Sequence, residues 1–196
     1  GKVVPVRTSV ELSMAITSAV PGDVITLADG NYEISENITA SNPGTEALPI
    51  YIRADFLGQA RILVRHNDKV AEGIIIDAPY WVIENLDLRA NCVIGDSGRP
   101  DGECENLIKI KGKADHLIVR NNFLHEANAP IRSDGQGAEY PDFVRIEGNT
   151  ISNDDMRFGE DSVAHIDVNG GQDWIIRNNV LSDFGKRPND EVAHGI

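Results

Sequence analysis

Val144-Arg145-Ile146-Glu147-Gly148-Asn149-Thr150-Ile151 and Trp174-Ile175-Ile176-Arg177-Asn178-Asn179-Val180-Leu181 are one short unit written twice. The same unit stands upstream as Leu117-Ile118-Val119-Arg120-Asn121-Asn122-Phe123-Leu124 and as Trp81-Val82-Ile83-Glu84-Asn85-Leu86-Asp87-Leu88. Its equivalent apolar positions, Ile83, Val119, Ile146 and Ile176, recur at intervals of 36, 27 and 30 residues. A strand-type unit with a drifting period of about 30 residues is the signature of a solenoid whose insertions fall in loops.

A second strand repeats inside the same units. It reads Leu107-Ile108-Lys109-Ile110-Lys111-Gly112, then Ala129-Pro130-Ile131-Arg132-Ser133-Asp134-Gly135, then Ala164-His165-Ile166-Asp167-Val168-Asn169-Gly170. Alternation along a strand places Ile108, Ile110, Ile131, Ile166 and Val168 inward. It places Lys109, Lys111, Arg132, Asp134, His165, Asp167 and Asn169 outward. Asn122, Asn149 and Asn179 hold one position in successive units. Stacked in a column, each side-chain amide would satisfy backbone groups of the neighbouring turn.

Upstream, short β-branched runs lie between turn residues, as at Asp23–Leu27, Pro49–Arg53, Ala60–Val64 and Gly73–Ile76. One helix interrupts them. Thr8-Ser9-Val10-Glu11 reads as a capping box, Leu12, Ala15, Ile16 and Ala19 share a face, and Pro21-Gly22 ends the run. The architecture expected is all-β: a parallel β-helix over residues 1–196, with a helix near residues 8–20 closing the open sheet edge. Coils are expected from about Asp23 onward. Val192-Ala193-His194 repeats the start of Val163-Ala164-His165, so the coils are expected to continue beyond Ile196 in a longer protein.

The 196 residues carry 18 Lys and Arg against 31 Asp and Glu, a net charge of −13. This balance argues against a general nucleic-acid binder. No apolar run approaches the ~18 residues of a membrane helix, so a helical span is excluded. Cys92 and Cys104 flank a Gly-, Asp-, Ser- and Pro-rich loop that can fold back. A disulfide there would place folding in an oxidising compartment; two unrelated thiols are the alternative.

The opening, Ser9-Val10-Glu11-Leu12 through Pro21-Gly22-Asp23-Val24-Ile25-Thr26-Leu27-Ala28-Asp29-Gly30-Asn31-Tyr32, resembles the first coil of the chondroitinase B and alginate lyase family, polysaccharide lyase family 6. Pro49-Ile50-Tyr51-Ile52-Arg53-Ala54 resembles its next strand. Cys104-Glu105-Asn106, Asn128-Ala129-Pro130-Ile131 and Ile146-Glu147-Gly148-Asn149-Thr150-Ile151 resemble bacterial right-handed β-helix repeat proteins. The resemblance implies a right-handed helix and a secreted or periplasmic protein. It also implies an acidic, uronate-containing polysaccharide such as alginate or a glycosaminoglycan as partner, β-elimination as reaction, and calcium as cofactor.

That chemistry asks for a group to neutralise the uronate carboxylate, a base for the C5 proton and an acid for the leaving oxygen. The resemblance implies a Lys and an Arg on neighbouring coils. Lys109 and Arg132 fit that description, with His165 one coil on as the third catalytic candidate. Lys111, Asp134, Asp167 and Asn169 are the substrate-binding candidates. Adjacent cations would repel, which would help Lys109 act as a base. The plainer reading is that outward positions of a solenoid are polar and make cross-strand charge pairs. A C5-epimerase, which begins with the same proton abstraction, and a non-catalytic glycan-binding or structural β-helix remain open. Asn153-Asp154-Asp155 with His194-Gly195 only faintly resembles polygalacturonases, and its spacing exceeds one coil.

Overall fold

The computed structural model describes residues 1–65, 72–91, 105–154 and 163–183. Cys92, Cys104, Asp155 and the segment from Val192 to Ile196 lie outside the described residues, so the disulfide expectation and the continuation expected past Ile196 do too.

The chain enters on β1 (Val3–Val6) and α1 (Ser9–Ser18). A first coil follows: β2 (Val24–Leu27), β3 (Gly30–Ile34) and β4 (Ile38–Ala40). The second is β5 (Ile50–Ala54), β6 (Ala60–Val64) and β7 (Glu72–Ile76). The third is β8 (Trp81–Glu84), β9 (Asp87–Ala90) and β10 (Asn106–Ile110). The fourth is β11 (Ile118–Arg120), β12 (Phe123–His125) and β13 (Ile131–Ser133). The fifth is β14 (Arg145–Glu147), β15 (Thr150–Ser152) and β16 (Ile166–Val168), after which come β17 (Ile175–Arg177) and β18 (Val180–Ser182).

Every strand pairs in parallel with its counterpart one coil away, giving three sheets. Their orders are β1-β2-β5-β8-β11-β14-β17, β3-β6-β9-β12-β15-β18 and β4-β7-β10-β13-β16. The chain is a parallel β-helix, as the repeats require. Inward side chains stack in register: Ile25, Ile52, Ile83, Val119 and Ile146 on the first sheet, all fully buried. Ile74, Ile108, Ile131 and Ile166 do the same on the third. Stacking like on like keeps the register, because a one-residue slip would turn each inward side chain to solvent.

The helix is where the capping box puts it. Thr8 Oγ1 accepts from the Glu11 amide at 3.2 Å, and Glu11 Oε2 accepts from the Thr8 amide at 3.1 Å. Leu12, Ala15 and Ile16 are buried against the first strands, while Val10 and Met14 face solvent. Strand β1, ahead of the helix, is a finding the sequence did not suggest. Pro5 discourages a strand reading, but β1 is an edge, where a residue without an N–H is tolerated.

From the third coil onward, the corner between the first and second sheets is two residues long. Asn85, Asn121, Gly148 and Asn178 take its left-handed position, with φ between 54° and 64°. The next residue is Leu86 or one of Asn122, Asn149 and Asn179, and the three Asn form the expected ladder. Asn122 Nδ2 and Asn149 Nδ2 each donate to the ladder carboxamide of the following coil at 3.0 Å and to a backbone carbonyl of the preceding coil at 3.0 Å.

Two orientations differ from alternation. Val168, expected inward, is 37% exposed, because it lies on β16, the last strand in the order of its sheet. His165, expected outward, is buried, because it lies in a bend ahead of β16 where the strand pleat has not begun.

Candidate functional site

The third sheet carries the strip of interest on its outer face. Pairing of β10 with β13 sets Lys109 beside Arg132, and pairing of β13 with β16 sets Arg132 beside Asp167. Neighbouring strands are ~4.8 Å apart, so the Lys and Arg can reach one sugar unit. The register excludes His165 from this column: Asp167 occupies the place expected for it. His165 instead turns its Nε2 to the Ser182 carbonyl at 3.2 Å, under the corner toward the second sheet.

The strip is not a bare pair of cations. Lys109 Nζ is in contact with the Asp134 carboxylate, and its side chain is only 7% exposed. Arg132 sits among three carboxylates: Glu105 at 3.7 Å, Asp134 at 3.5 Å and Asp167 at 3.5 Å. The expected repulsion between Lys109 and Arg132 is thus replaced by ion pairing, two cations against three anions. The outward side chains form a partly buried network. The Arg132 Nε is buried and makes no hydrogen bond, although two carboxylates lie near it. Such a guanidinium is held by charge more than by direction, and can turn toward a better-placed anion.

Beyond the ends of β10, β13 and β16 the strip opens into a groove of about 590 Å³. Lys111, Asp134 and Asn169 line it, as do Gly135, Gly170 and Tyr140. Lys111 makes no ion pair among the described residues, in contrast to Lys109, and its ammonium is the cation left for an incoming anion. Asn169 Nδ2 lies 3.4 Å from Asp134 Oδ1, which joins the groove to the Lys109–Asp134 pair. Sequence reading therefore brought together Lys109, Lys111, Arg132, Asp134, Asp167 and Asn169, and misplaced His165. It missed Glu105 and Tyr140. Glu105 gives no signal in a strand pattern; the visible signal for Tyr140 was the glycine closing each of the three strands.

Among the described residues, no cluster of three or more acidic, His or Cys side chains is arranged to hold a metal ion. The carboxylates nearest the strip are turned onto Lys109 and Arg132, whose positive charges oppose a calcium ion there.

Two other charged assemblies lie on different faces. On the first sheet, Arg53, Glu84, Arg120, Glu147 and Arg177 occupy paired positions on successive strands and alternate in sign. Arg120 Nη2 lies 2.6 Å from Glu84, and Arg177 Nε 2.8 Å from Glu147. Burial pushes the Glu147 carboxyl upward, but Arg145 and Arg177 outweigh it and hold the group below the usual carboxylate range. On the second sheet, His125 Nδ1 is 3.2 Å from Ser152 Oγ, and its Nε2 is 3.6 Å from Asp87. Burial lowers the His125 pKa against the pull of Asp87. His116 lies between the rings of Tyr80 and Phe143, with centroids 4.6 and 4.8 Å away.

No protein-family model and no curated protein matches the sequence. Solved structures do match. A PL6 family polysaccharide lyase from Pseudopedobacter saltans is 17% identical, with a TM-score of 0.54, over 91% of this chain and 46% of that one. This chain has the fold of that lyase, a right-handed parallel β-helix. An alginate lyase from Paenibacillus sp. str. FPU-7 is 17% identical, with a TM-score of 0.49, over 92% of this chain and 76% of that one. A mannuronic acid specific family 6 lyase from human gut microbiota is 15% identical, with a TM-score of 0.44, over 92% and 53%. The chain spans about half the length of the Pseudopedobacter and gut enzymes.

Proposed function

We propose that this β-helix acts on a uronic-acid polysaccharide by β-elimination, outside the cytoplasm, with the third-sheet strip and its groove as the site. The observation that carries the reading is the register of Lys109 on Arg132, at the edge of a groove lined by the uncommitted Lys111. The likeness to polysaccharide lyases of the same fold supports it.

In this reading Arg132 and Lys111 grip the uronate carboxylate, which stabilises the negative charge that develops when C5 loses its proton. Lys109 passes its own proton to Asp134, which it touches, and takes the C5 proton. The C5–H electron pair forms the C4–C5 double bond, the C4–O4 bond breaks, and O4 leaves with a proton from the protonated Asp134 or from solvent. Returning the proton to the opposite face of C5 instead would make the protein an epimerase. Its net charge of −13 does not prevent binding of a polyanion, because repulsion from distant charges is screened beyond about 8 Å at physiological salt.

The test is incubation with a panel of uronate polymers, following the absorbance of the unsaturated product, with NMR for inversion at C5. Lys109→Ala and Arg132→Ala are each expected to lower turnover ~100-fold or more. Unchanged turnover in both variants would overturn the assignment. A second reading, a non-catalytic glycan binder, draws on the burial of Lys109 and its pairing with Asp134. Binding without turnover in the unaltered protein would select it.

A further inference from the structure

The outer face of the second sheet sets a carboxylate, an imidazole and a hydroxyl across three successive coils. They are Asp87 on β9, His125 on β12 and Ser152 on β15. Leu88, Leu124 and Ile151 point inward and are fully buried, so alternation turns Asp87, Arg89, His125 and Ser152 outward. Pairing puts Arg89, His125 and Ser152 in one column and sets Asp87 in the neighbouring column beside Phe123.

Asp87 is buried and held from one side, where its Oδ2 accepts from Arg61 Nε at 2.7 Å. Its Oδ1 is buried without a hydrogen bond and lies 3.6 Å from His125 Nε2. A buried acceptor without a partner favours a proton on the atom facing it, so it selects the tautomer with the hydrogen on Nε2. Nδ1 is then the acceptor, and it lies 3.2 Å from Ser152 Oγ. The serine hydroxyl donates to the imidazole in this tautomer. Burial keeps the His125 pKa below 6.5, so at pH 7 the ring is neutral and can take that proton. The 3.6 Å to Asp87 is longer than a hydrogen bond, a gap that narrows once the ring is a cation facing a carboxylate.

Arg89 supplies a further charge. It starts beside His125, and its Nη2 lies 3.6 Å from Asp154 Oδ2, two residues past Ser152. Its side chain thus runs along the column to the coil of Ser152. Beyond Ser152 the column continues with Ser182 on β18, and Val180 of the same strand is 59% exposed. Two short hydroxyl side chains and an open valine make a shallow step, which fits a short acyl group and does not enclose a long one.

We propose that Asp87, His125 and Ser152 form a hydrolytic site for short-chain carboxylic esters, with Arg89 facing the oxyanion. The site lies on a different sheet from Lys109 and Arg132 and does not rest on the uronate reading. Ser152 Oγ attacks the ester carbonyl carbon and its proton passes to His125 Nδ1, while Asp87 holds the imidazolium by Nε2–H. The carbonyl oxygen carries the negative charge opposite Arg89. The bond from the carbonyl carbon to the alkoxy oxygen then breaks, and that oxygen leaves as an alcohol with the proton from Nδ1. Water attacks the acyl-serine, gives its proton to Nδ1, and the carboxylic acid leaves as the proton returns to Ser152 Oγ.

The test uses the whole protein with 4-nitrophenyl acetate and 4-nitrophenyl octanoate, followed by absorbance of the phenol released. Acetate is expected to be the better substrate. Ser152→Ala and His125→Gln are each expected to lower kcat/KM ~100-fold or more. Asp87→Asn, which keeps the shape of the side chain, is expected to lower it about tenfold or more. Arg89→Gln is expected to lower kcat and leave KM within about threefold, as loss of a contact to the oxyanion does. Phenylmethanesulfonyl fluoride is expected to label Ser152 in the unaltered protein, located by mass spectrometry of its peptides, a readout that does not depend on how any variant folds.

A rate in Ser152→Ala within about threefold of the unaltered protein would overturn the site, since exposed lysines would then account for the hydrolysis. Hydrolysis of neither ester by the unaltered protein, or no label on Ser152, would overturn it as well. Faster turnover of octanoate, lost in Ser152→Ala, would support the triad and overturn the short-chain assignment.

Discussion

Asn149 is the side chain on which the corner between the first and second sheets most depends. It is 1% exposed and takes part in hydrogen bonds in both directions along the solenoid. Its Oδ1 accepts from the Asn122 backbone amide and from Asn122 Nδ2, each at 3.0 Å. Its Nδ2 donates to the Val119 carbonyl and to Asn179 Oδ1, each at 3.0 Å. Asn149→Ala removes all four. It leaves two buried backbone groups, the Asn122 N–H and the Val119 C=O, without these partners. Each unsatisfied buried group costs about 1–3 kcal/mol, so allowing for relaxation the variant should lose ~3 kcal/mol. With a urea dependence of about 2 kcal/mol/M, the unfolding midpoint should fall by ~1.5 M. The assay is urea unfolding followed by circular dichroism and by tryptophan fluorescence, whose coincidence checks that one transition is being read. Asn179→Ala should cost less, because Asn179 is only half-buried and so less of what it leaves unpaired is shielded from water. A midpoint shift under ~0.5 M for Asn149→Ala would refute the reasoning, since it would mean that the ladder bonds are replaced by water at no net loss.

Two further outcomes are expected. His125 has a folded pKa depressed below 6.5, so the fold binds fewer protons there than the unfolded chain; its neutral form's contribution is present above pH 6.5 and is lost as pH falls through the folded value. Facing it are Asp87, Arg89, Asp154 and Arg61, and His125→Gln should flatten the fall in stability between pH 7.5 and 5.5; an equal fall in the variant would refute this. Glu147, held below its ordinary value of 4.5 by Arg145 and Arg177 against burial, stabilises the fold above pH 4.5 and ceases to as pH falls through its folded value. Glu147→Gln should therefore destabilise at pH 7 and lose less than the unaltered protein on acidification, and acid titrations with the same slope would count against a stabilising role for the Glu147 ion pairs. Thiol titration of the denatured, unreduced chain decides between the two readings of Cys92 and Cys104: no free thiol would support the bond, and two free thiols would rule it out.

The coil period, the inward isoleucines, the capping box at Thr8 and the column of Asn122, Asn149 and Asn179 were all legible in the sequence. Each rests on a periodicity or a local contact: alternation of side chains along a strand, a hydrogen bond spanning three residues, or one position repeated coil after coil. The pairing of Lys109 with Arg132 was legible for the same reason, because both follow an inward isoleucine that fixes the register. His165 was misread because alternation was extended past the start of β16 into a bend; the residue that follows the inward Ile166 is Asp167, and it takes the place beside Arg132. The neutralisation of the strip by Asp134 and Glu105 was decided by the tertiary structure, since those carboxylates approach from loops flanking the strands. So was the placing of Tyr140 on Gly135 and Gly170, the second of which lies on the next coil. The sheets repeat because their interior is dictated by local chemistry. The site does not repeat, because it is made where loops of unequal length cross from one coil to another, and only the stacked helix brings those loops together.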